Sequence, residues 1–276
     1  MEDRIKHLIE QALLEDGVNN DVTTDNLVSK ERKQTGFFIT KENGVLSGIE
    51  IAQKVFETID PTLAFTVIKP SGSVVEAKEI IATIEGSAAS ILKGERLALN
   101  IMQRMSGIAT TTNRFVKEVS GTNVLILDTR KTTPLFRVLE KKAVKDGGGT
   151  NHRYNLSDMV MIKDNHIEAV GGITQAVRLA RSKVGLTLMI EVEVETKEQF
   201  LEALSTDVDV IMLDNMGNDL MRELVVLNQG RKKLEASGNM TLERVKSVAE
   251  TGVDTISVGA LTHSYKSLDI SLRFKK

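Results

Sequence analysis

Ile5, Leu8, Ile9, Ala12 and Leu13 recur at helical spacing behind a charged opening, Met1-Glu2-Asp3-Arg4. That pattern predicts an amphipathic helix in place of an unbroken apolar leader. Up to about Ser120 the signals are mixed. Phe37-Phe38-Ile39-Thr40 predicts a strand, Asn43-Gly44 a tight turn, and Ile49 to Ile59 a helix. Phe65-Thr66-Val67-Ile68 and Ile80-Ile81-Ala82-Thr83-Ile84 predict strands parted by Pro70-Ser71-Gly72, and Glu95 to Val119 predicts a long helix broken near Ser106-Gly107. Strands and helices mixed in this way give a small α+β unit.

From Asn123 onward the pattern turns regular. Apolar runs recur at Val124-Leu125-Ile126-Leu127, Met159-Val160-Met161-Ile162, Leu188-Met189-Ile190, Val208 to Leu213, and Thr255-Ile256-Ser257-Val258, with Lys233-Leu234-Glu235-Ala236 as a weaker member. Helical patterns fill the gaps, the mark of repeated βα units around a parallel sheet or barrel. About six such strands fall short of an eightfold barrel, so the expected architecture is an incomplete one. Met102, Met105, Met159 and Met161 fit as core packing.

The residues at the end of each run carry the chemistry. Asp128-Thr129-Arg130-Lys131 closes the first, Lys163-Asp164-Asn165-His166 the second, Glu191-Val192-Glu193 the third and Asp214-Asn215 the fourth. Ser237-Gly238-Asn239 and Gly259-Ala260 close the last two. In parallel βα architectures the C-terminal strand ends converge on one face, where active sites are built. Arg130, Lys131, Lys163 and, from the loop after Gly147-Gly148-Gly149, His152 and Arg153 bring positive charge there. So many cations repel one another unless an anion sits among them. Glu193 and Asp214 face them and suit a hard cation such as Mg²⁺ shared with substrate phosphates. The small residues of the last two loops suit a phosphate. The rim therefore predicts a multiply anionic, phosphorylated substrate and a divalent metal.

Each feature alone has a plainer reading. Arg130-Lys131 fits a solvated pair, Glu191 and Glu193 fit partners of nearby lysines, Gly147 to Gly149 a flexible turn, Asp214-Asn215 a helix cap, and His166 and His263 hydrogen-bonded structural residues. Those readings leave unexplained why charge stands after nearly every run at the same end. Composition narrows the rest. The chain has 276 residues, 36 Lys plus Arg against 38 Asp plus Glu, and a net charge of -2, which excludes a whole-molecule basic footprint for nucleic acid. Zero cysteines exclude disulfides, thiolate metal sites and Cys nucleophiles, and no stretch is apolar enough to span a membrane. A cytoplasmic protein is expected.

Several long motifs, in order along nearly the whole chain, resemble one family. They are Asp128-Thr129-Arg130-Lys131-Thr132-Thr133-Pro134, Gly147-Gly148-Gly149-Thr150-Asn151-His152-Arg153 and Ile162-Lys163-Asp164-Asn165-His166, supported by Asp21-Val22-Thr23-Thr24, Gly44-Val45-Leu46-Ser47-Gly48, Leu99-Asn100, Ser106-Gly107-Ile108-Ala109-Thr110, Glu191 to Glu195, Met212 to Asn215 and Glu235 to Gly238. This set resembles the signature of the quinolinate phosphoribosyltransferases, or carboxylating nicotinate-nucleotide pyrophosphorylases. The resemblance implies an N-terminal α/β open-face sandwich over 1–112 with the tail 266–276 packed back on it, and an incomplete parallel α/β barrel over 113–265, the type II phosphoribosyltransferase arrangement. It implies a pentosyl transfer in NAD biosynthesis, with quinolinate and phosphoribosyl pyrophosphate as substrates, Mg²⁺ as the metal, and nicotinate mononucleotide, CO₂ and pyrophosphate as products.

By position, the resemblance makes Arg130, His152, Arg153 and Lys163 contacts to the quinolinate carboxylates, with Arg104 reaching in from the partner of a homodimer or a larger assembly of dimers. It gives Lys131, Glu193 and Asp214 to the pyrophosphoryl sugar and metal, with Lys163 beside them in catalysis, and Thr129, Ser237, Gly238, Asn239, Gly259, Ala260 and His263 to substrate binding, most of them around the 5′-phosphate. Two positions depart from the family. Leu135 stands where glycine is usual after Thr-Thr-Pro, which strains the loop if that position needs positive φ, and Asn239 replaces a second glycine, a milder change. Three other readings share parts of the pattern: a relative tied to molybdate transport, a barrel lyase using Lys163 as a Schiff-base amine, and a non-catalytic metabolite binder. The intact His152-Arg153 and Lys163 to His166 speak against the first.

Overall fold

The structure is a computed structural model that describes residues 2–29 and 31–275. Expectations that touch Met1 or Lys276 lie outside the described residues. The chain forms two compact units: residues up to 113 with 133–148 and those from 265, and residues 114–132 with 149–264.

The first unit holds strands β1 (Lys33–Thr40), β2 (Gly44–Val45), β3 (Ala64–Val67), β4 (Val74–Val75) and β5 (Ile80–Ser87). The second holds β6 (Leu125–Leu127), β7 (Val160–Ile162), β8 (Ile190–Val194), β9 (Val210–Asp214), β10 (Lys233–Ser237) and β11 (Thr255–Ser257), and β12 (Ile270–Phe274) returns to the first.

In the first unit β12, β1, β5 and β3 form an antiparallel sheet in that order. Helix Ile49–Ile59 buries Ile49, Ile51, Ala52, Val55 and Phe56, the stripe its periodicity predicts. Phe56 meets Phe38 of β1 and Phe65 of β3 with ring centroids 5.9 Å away from each. The N-terminal helix Glu2–Glu15 buries Ile5 and Ile9. Two local expectations need correction. Gly44 belongs to a short strand paired with β4, because Asn43 Oδ1 accepts the Ala77 N–H at 2.8 Å and draws the two segments together. The long helix runs unbroken from Ala88 to Glu118. Gly107 is there for close approach: a Cβ would lie 2.3 Å from the Lys266 carbonyl oxygen, where the tail crosses the helix. Residues 133–148, which the sequence reading carries with the barrel, group with this unit, because Ser47 Oγ donates to Asp146 Oδ2 at 2.5 Å and Gly147 abuts the Ala109 carbonyl.

In the second unit the described residues form a parallel sheet ordered β6-β11-β10-β9-β8-β7, with helices in the crossovers. This is the incomplete α/β barrel, and all six expected strands are present. β8 extends past the predicted end, Ile190, to Val194. Its alternation explains this: Ile190, Val192 and Val194 are buried on one face, so the intervening Glu191 and Glu193 point to the other. Beyond β6 the segment after the three glycines adds one more rung, a parallel bridge between Leu127 and Thr150. Among the described residues no helix is long and apolar enough to cross a membrane.

Leu135 has φ 67 and is 89% exposed, so it holds a left-handed backbone and gains little from burial. Left-handed geometry costs a non-glycine residue about 1–2 kcal/mol, and glycine's extra unfolded-state freedom offsets only part of that. Leu135→Gly should therefore raise Tm by about 1–3 °C, read by calorimetry. A lower Tm would show that the leucine is held by a favourable contact instead.

Candidate active site

Parallel pairing sets the geometry of the rim. Glu193 of β8, Met212 of β9 and Glu235 of β10 stand in register, and Asp214 pairs with Ser237 one step of the pleat further on. Residues two apart share a face. Glu191 and Glu193, Asp214, and Glu235 and Ser237 therefore line one face of the sheet in successive rows, with Asp214 and Ser237 nearest the C-terminal ends.

The cations arrive from the loops. Asp128, fully buried after β6, accepts from Asn151 Nδ2 at 2.5 Å and from the His152 N–H at 2.9 Å, which fastens the His152-Arg153 loop to that strand end. Thr129 Oγ1 accepts the Lys131 N–H at 3.0 Å and Thr262 Oγ1 donates to the Lys131 carbonyl at 2.8 Å, so the loop after β6 is tied to the one after β11. Burial, and next the charge of Arg130, lower the proton affinity of the Arg153 guanidinium. Like charges that oppose each other in this way favour an anion between them. Lys163 begins the helix Asp164–Val170, where its N–H donates to His166 Nδ1 at 3.0 Å, so His166 is the structural residue expected. The Lys163 ammonium bonds to Glu193, whose side chain is 15% exposed.

The loops after β9, β10 and β11 are also tied by hydrogen bonds and close packing. Gly238 has φ 91, and a Cβ there would lie 2.1 Å from Asn215 Oδ1. Asn239 comes next with φ 46, the left-handed conformation asparagine tolerates. Asn215 donates through Nδ2 to Asp214 Oδ2 at 2.6 Å and accepts from Asn239 Nδ2 at 3.3 Å, so it links the fourth and fifth strand ends and is no helix cap. Arg244 spans the Gly238 carbonyl at 3.0 Å and the Met216 carbonyl at 2.7 Å. A Cβ on Gly259 would lie 3.1 Å from both His263 Nε2 and Lys131 Cδ, which gathers those three residues, with Ala260 beginning the short helix Ala260–His263 beside them.

Beneath the rim lies a buried group the sequence did not single out. His152 Nε2 is 3.1 Å from Glu191 Oε2 and 3.4 Å from Glu235 Oε2, while Nδ1 accepts the Arg153 N–H at 2.7 Å. Glu235 is further held by the Ser257 hydroxyl and by Thr255 Oγ1 at 3.4 Å. Glu191 has both oxygens buried, with the His152 ring beside Oε2, and burial pushes its carboxyl above the usual range. Burial also works against a charged His152, but hydrogen bonds to Glu191 and Glu235, and then their charges, would hold the ring protonated up to about 10. The Arg153 amide is the opposing constraint. Its N–H occupies the position a second ring proton would need, and the geometry is that of a singly protonated ring.

Arg104 lies in the first unit, on helix Ala88–Glu118. Its Nε donates to Glu140 Oε1 at 3.0 Å, its terminal nitrogen bonds to Glu140 and Thr133, and its guanidinium carbon sits 5.2 and 5.0 Å from the Phe136 and Tyr265 ring centroids. Glu140 is fully buried, while Arg104 keeps 24% of its side chain exposed. Sequence reasoning missed Glu140 and Arg244. The only signal was that Glu140 falls inside the buried stripe Val138, Leu139, Ala143 and Val144.

Comparison with known proteins identifies the family. Residues 21–106 match the quinolinate phosphoribosyl transferase N-terminal domain and residues 108–273 its C-terminal domain. The probable carboxylating nicotinate-nucleotide pyrophosphorylase of Bacillus subtilis is 43% identical over 98% of this chain and 93% of its own, and the Synechocystis protein of that name is 43% identical over 96% and 90%. Among solved structures, NadC from Streptococcus pyogenes superposes with a TM-score of 0.95 at 38% identity over 100% of this chain and 99% of its own. The nicotinate-nucleotide pyrophosphorylase from Francisella tularensis superposes with a TM-score of 0.96 at 37% identity over 100% and 97%. With both domain models matched and relatives alike along nearly their full length, the chain belongs to the quinolinate phosphoribosyltransferase family.

Proposed function

We infer that this chain transfers the phosphoribosyl group of phosphoribosyl pyrophosphate to quinolinate and releases CO₂ and pyrophosphate, giving nicotinate mononucleotide for NAD synthesis. One observation carries the reading beyond the family: the loop bearing His152 and Arg153 is fastened to the strand end that carries Arg130, while Lys163, Glu193 and Asp214 stand at the ends of β7, β8 and β9. Guanidinium groups bind carboxylates through paired N–H donors, so two of them beside a lysine suit a dicarboxylate. The absence of cysteine and the near-neutral charge fit a cytoplasmic enzyme of small anions, with neither nucleic acid nor membrane as partner.

Quinolinate rests its carboxylates on Arg130, Arg153 and Lys163, which points its ring nitrogen at the anomeric carbon. The ribose 5′-phosphate sits on the loops Ser237-Gly238-Asn239 and Gly259-Ala260 with His263, and Thr129 holds the Lys131 loop in place. As the bond to pyrophosphate breaks, the sugar gains oxocarbenium character, which the carboxylates of Glu193 and Asp214 stabilise, while Lys131 neutralises the departing oxygens. The new N–C bond leaves the ring cationic. The adjacent carbon–carboxylate bond then breaks with its electron pair drawn toward the ring, and the carbon takes a proton from water. Orientation and charge do the work, and no covalent nucleophile is required. Lys163 is committed to Glu193, which favours its ammonium over the free amine a Schiff base needs. The oxygen donors of Glu193 and Asp214, on one face at adjacent strand ends, fit Mg²⁺, with Lys163 giving up its hold on Glu193. Bound there, Mg²⁺ supplies further neutralisation of pyrophosphate.

The enzyme works as a homodimer, or an assembly of dimers, with Arg104 serving the partner's site. Its guanidinium is fixed on one side by Glu140 and two aromatic rings and keeps an exposed edge for an incoming carboxylate.

Chelation should abolish turnover of quinolinate and phosphoribosyl pyrophosphate, and added Mg²⁺ should restore it. Full activity in excess chelator would remove the metal from the scheme. Quinolinate should be preferred over nicotinate by about 10²–10³-fold in kcat/KM, because nicotinate leaves desolvated cations unpaired. Equal kcat/KM values would contradict the dicarboxylate site. Arg104→Ala and Lys163→Ala should each cripple the homodimer, whereas purified mixed dimers should regain up to roughly half of wild-type activity, because both defects then fall in one site. Mixed dimers as inactive as their parents would place Arg104 in its own subunit's site.

A further inference from the structure

The position of His152 suggests a contact to substrate carboxylate, but its ring is already committed on both sides. A neutral imidazole has one N–H donor and one acceptor nitrogen. Here Nδ1 receives the Arg153 N–H from 2.7 Å, which takes the acceptor. The ring proton is then on Nε2, between Glu191 at 3.1 Å and Glu235 at 3.4 Å. No second N–H remains for an anion in the mouth, and the side chain is only 8% exposed. The His152 backbone is fixed as well, since its N–H donates to buried Asp128 at 2.9 Å.

The same arrangement argues against a metal held by His152, Glu191 and Glu235, although their ligand atoms lie within 4.8 Å of one another. A metal would take the Nε2 lone pair. A ligating histidine then offers its other nitrogen as a donor to an acceptor. Here that nitrogen faces a donor, the Arg153 amide, so a metal at Nε2 would force the ring into an imidazolate.

We propose that His152, braced on Glu191 and Glu235, is a positioning residue for Arg153 and makes no contact with the substrate. The role assigned to Arg153 rests on the dicarboxylate site described above. The ring reaches across the sheet from the loop beside β6 to carboxylates on β8 and β10, and its Nδ1 holds the amide from which Arg153 leaves the chain. The head of Arg153 is steadied separately, with Nη1 donating to the Met159 carbonyl at 3.3 Å. Ring and carbonyl together fix both ends of a long side chain that would otherwise lose rotamer freedom each time it bound. Glu235 anchors the far end through the hydroxyls of Ser257 and Thr255 on β11.

The direct test is ¹⁵N-histidine NMR on the full-length protein. The chain has 4 histidines, and the His152 signals are those lost in His152→Gln. The expected result is a neutral ring protonated at Nε2, unchanged in tautomer when quinolinate or Mg²⁺ is added without phosphoribosyl pyrophosphate. A ring protonated at Nδ1, a doubly protonated ring with quinolinate, or loss of the Nε2 proton with Mg²⁺ would overturn the proposal. Kinetics give the second measurement. His152→Gln should raise the KM for quinolinate about tenfold with a smaller change in kcat, yet add less than about threefold when Arg153 is already alanine. Independent, multiplicative losses would mean that His152 acts on the substrate itself. A protein inactive toward quinolinate but with the Nε2 tautomer intact would count against the dicarboxylate reading and leave the brace standing.

Discussion

Cations at one end of a parallel sheet need negative charge beneath them, and the second unit is arranged around that need. Strands that all point one way bring Arg130, Arg153, Lys131 and Lys163 to a common rim, where they repel one another. Three acidic side chains are buried below or beside that rim: Asp128, Glu191 and Glu235. A buried carboxylate is costly unless it is bonded. Asp128 meets the cost with two donors from the His152 loop, and Glu235 with hydroxyls from β11 and with His152. Glu191 has only the nearby imidazole, which is why burial raises its proton affinity. The acids thus serve two ends: they counter the rim's charge, and their hydrogen bonds set where its loops begin.

The first unit repeats the device once. Glu140 is fully buried and Arg104 partly exposed, so the pair is an acid in the core holding a cation at the surface. Removing a buried partner of this kind leaves an uncompensated charge and costs about 3–5 kcal/mol. Glu140 also accepts the Thr133 N–H at 3.1 Å, which ties the loop after the rim motif to the same anchor. Where Arg104 points is therefore decided by a fully buried acid.

This explains what was legible in the sequence. Strand positions show in apolar runs, because burial selects Val, Ile and Leu whatever the partners are, and all six barrel strands were readable on that basis. Charges at strand ends were readable too, since local order places them. Glu191 was not. It resembles Glu193 two residues on, and only the packing of the strand separates the buried acid from the rim acid. Glu140 and Arg244 were invisible for a similar reason, since each also joins a partner far along the chain, Arg104 and the Met216 carbonyl respectively. The expected break at Ser106-Gly107 failed on a similar point. Local propensity gives glycine as a breaker, whereas here it makes room for the chain at Lys266 inside a continuous helix.

The two departures from the family pattern then separate by cost. Asn239 and Leu135 both hold positive φ, at 46 and 67. Asparagine visits that region readily, and its amide bonds back to Asn215, so the fifth loop keeps its shape at little expense. Leucine has no such compensation, and its side chain is turned out to water. Its neighbours on either side, however, include Thr133, which accepts from Arg104, and Phe136, whose ring lies against the same guanidinium. A strained residue persists where surrounding contacts over-determine its backbone. The bonds of Thr133 and Phe136 to one arginine supply that constraint, so the loop's shape is dictated by what Arg104 needs around it and not by what Leu135 prefers.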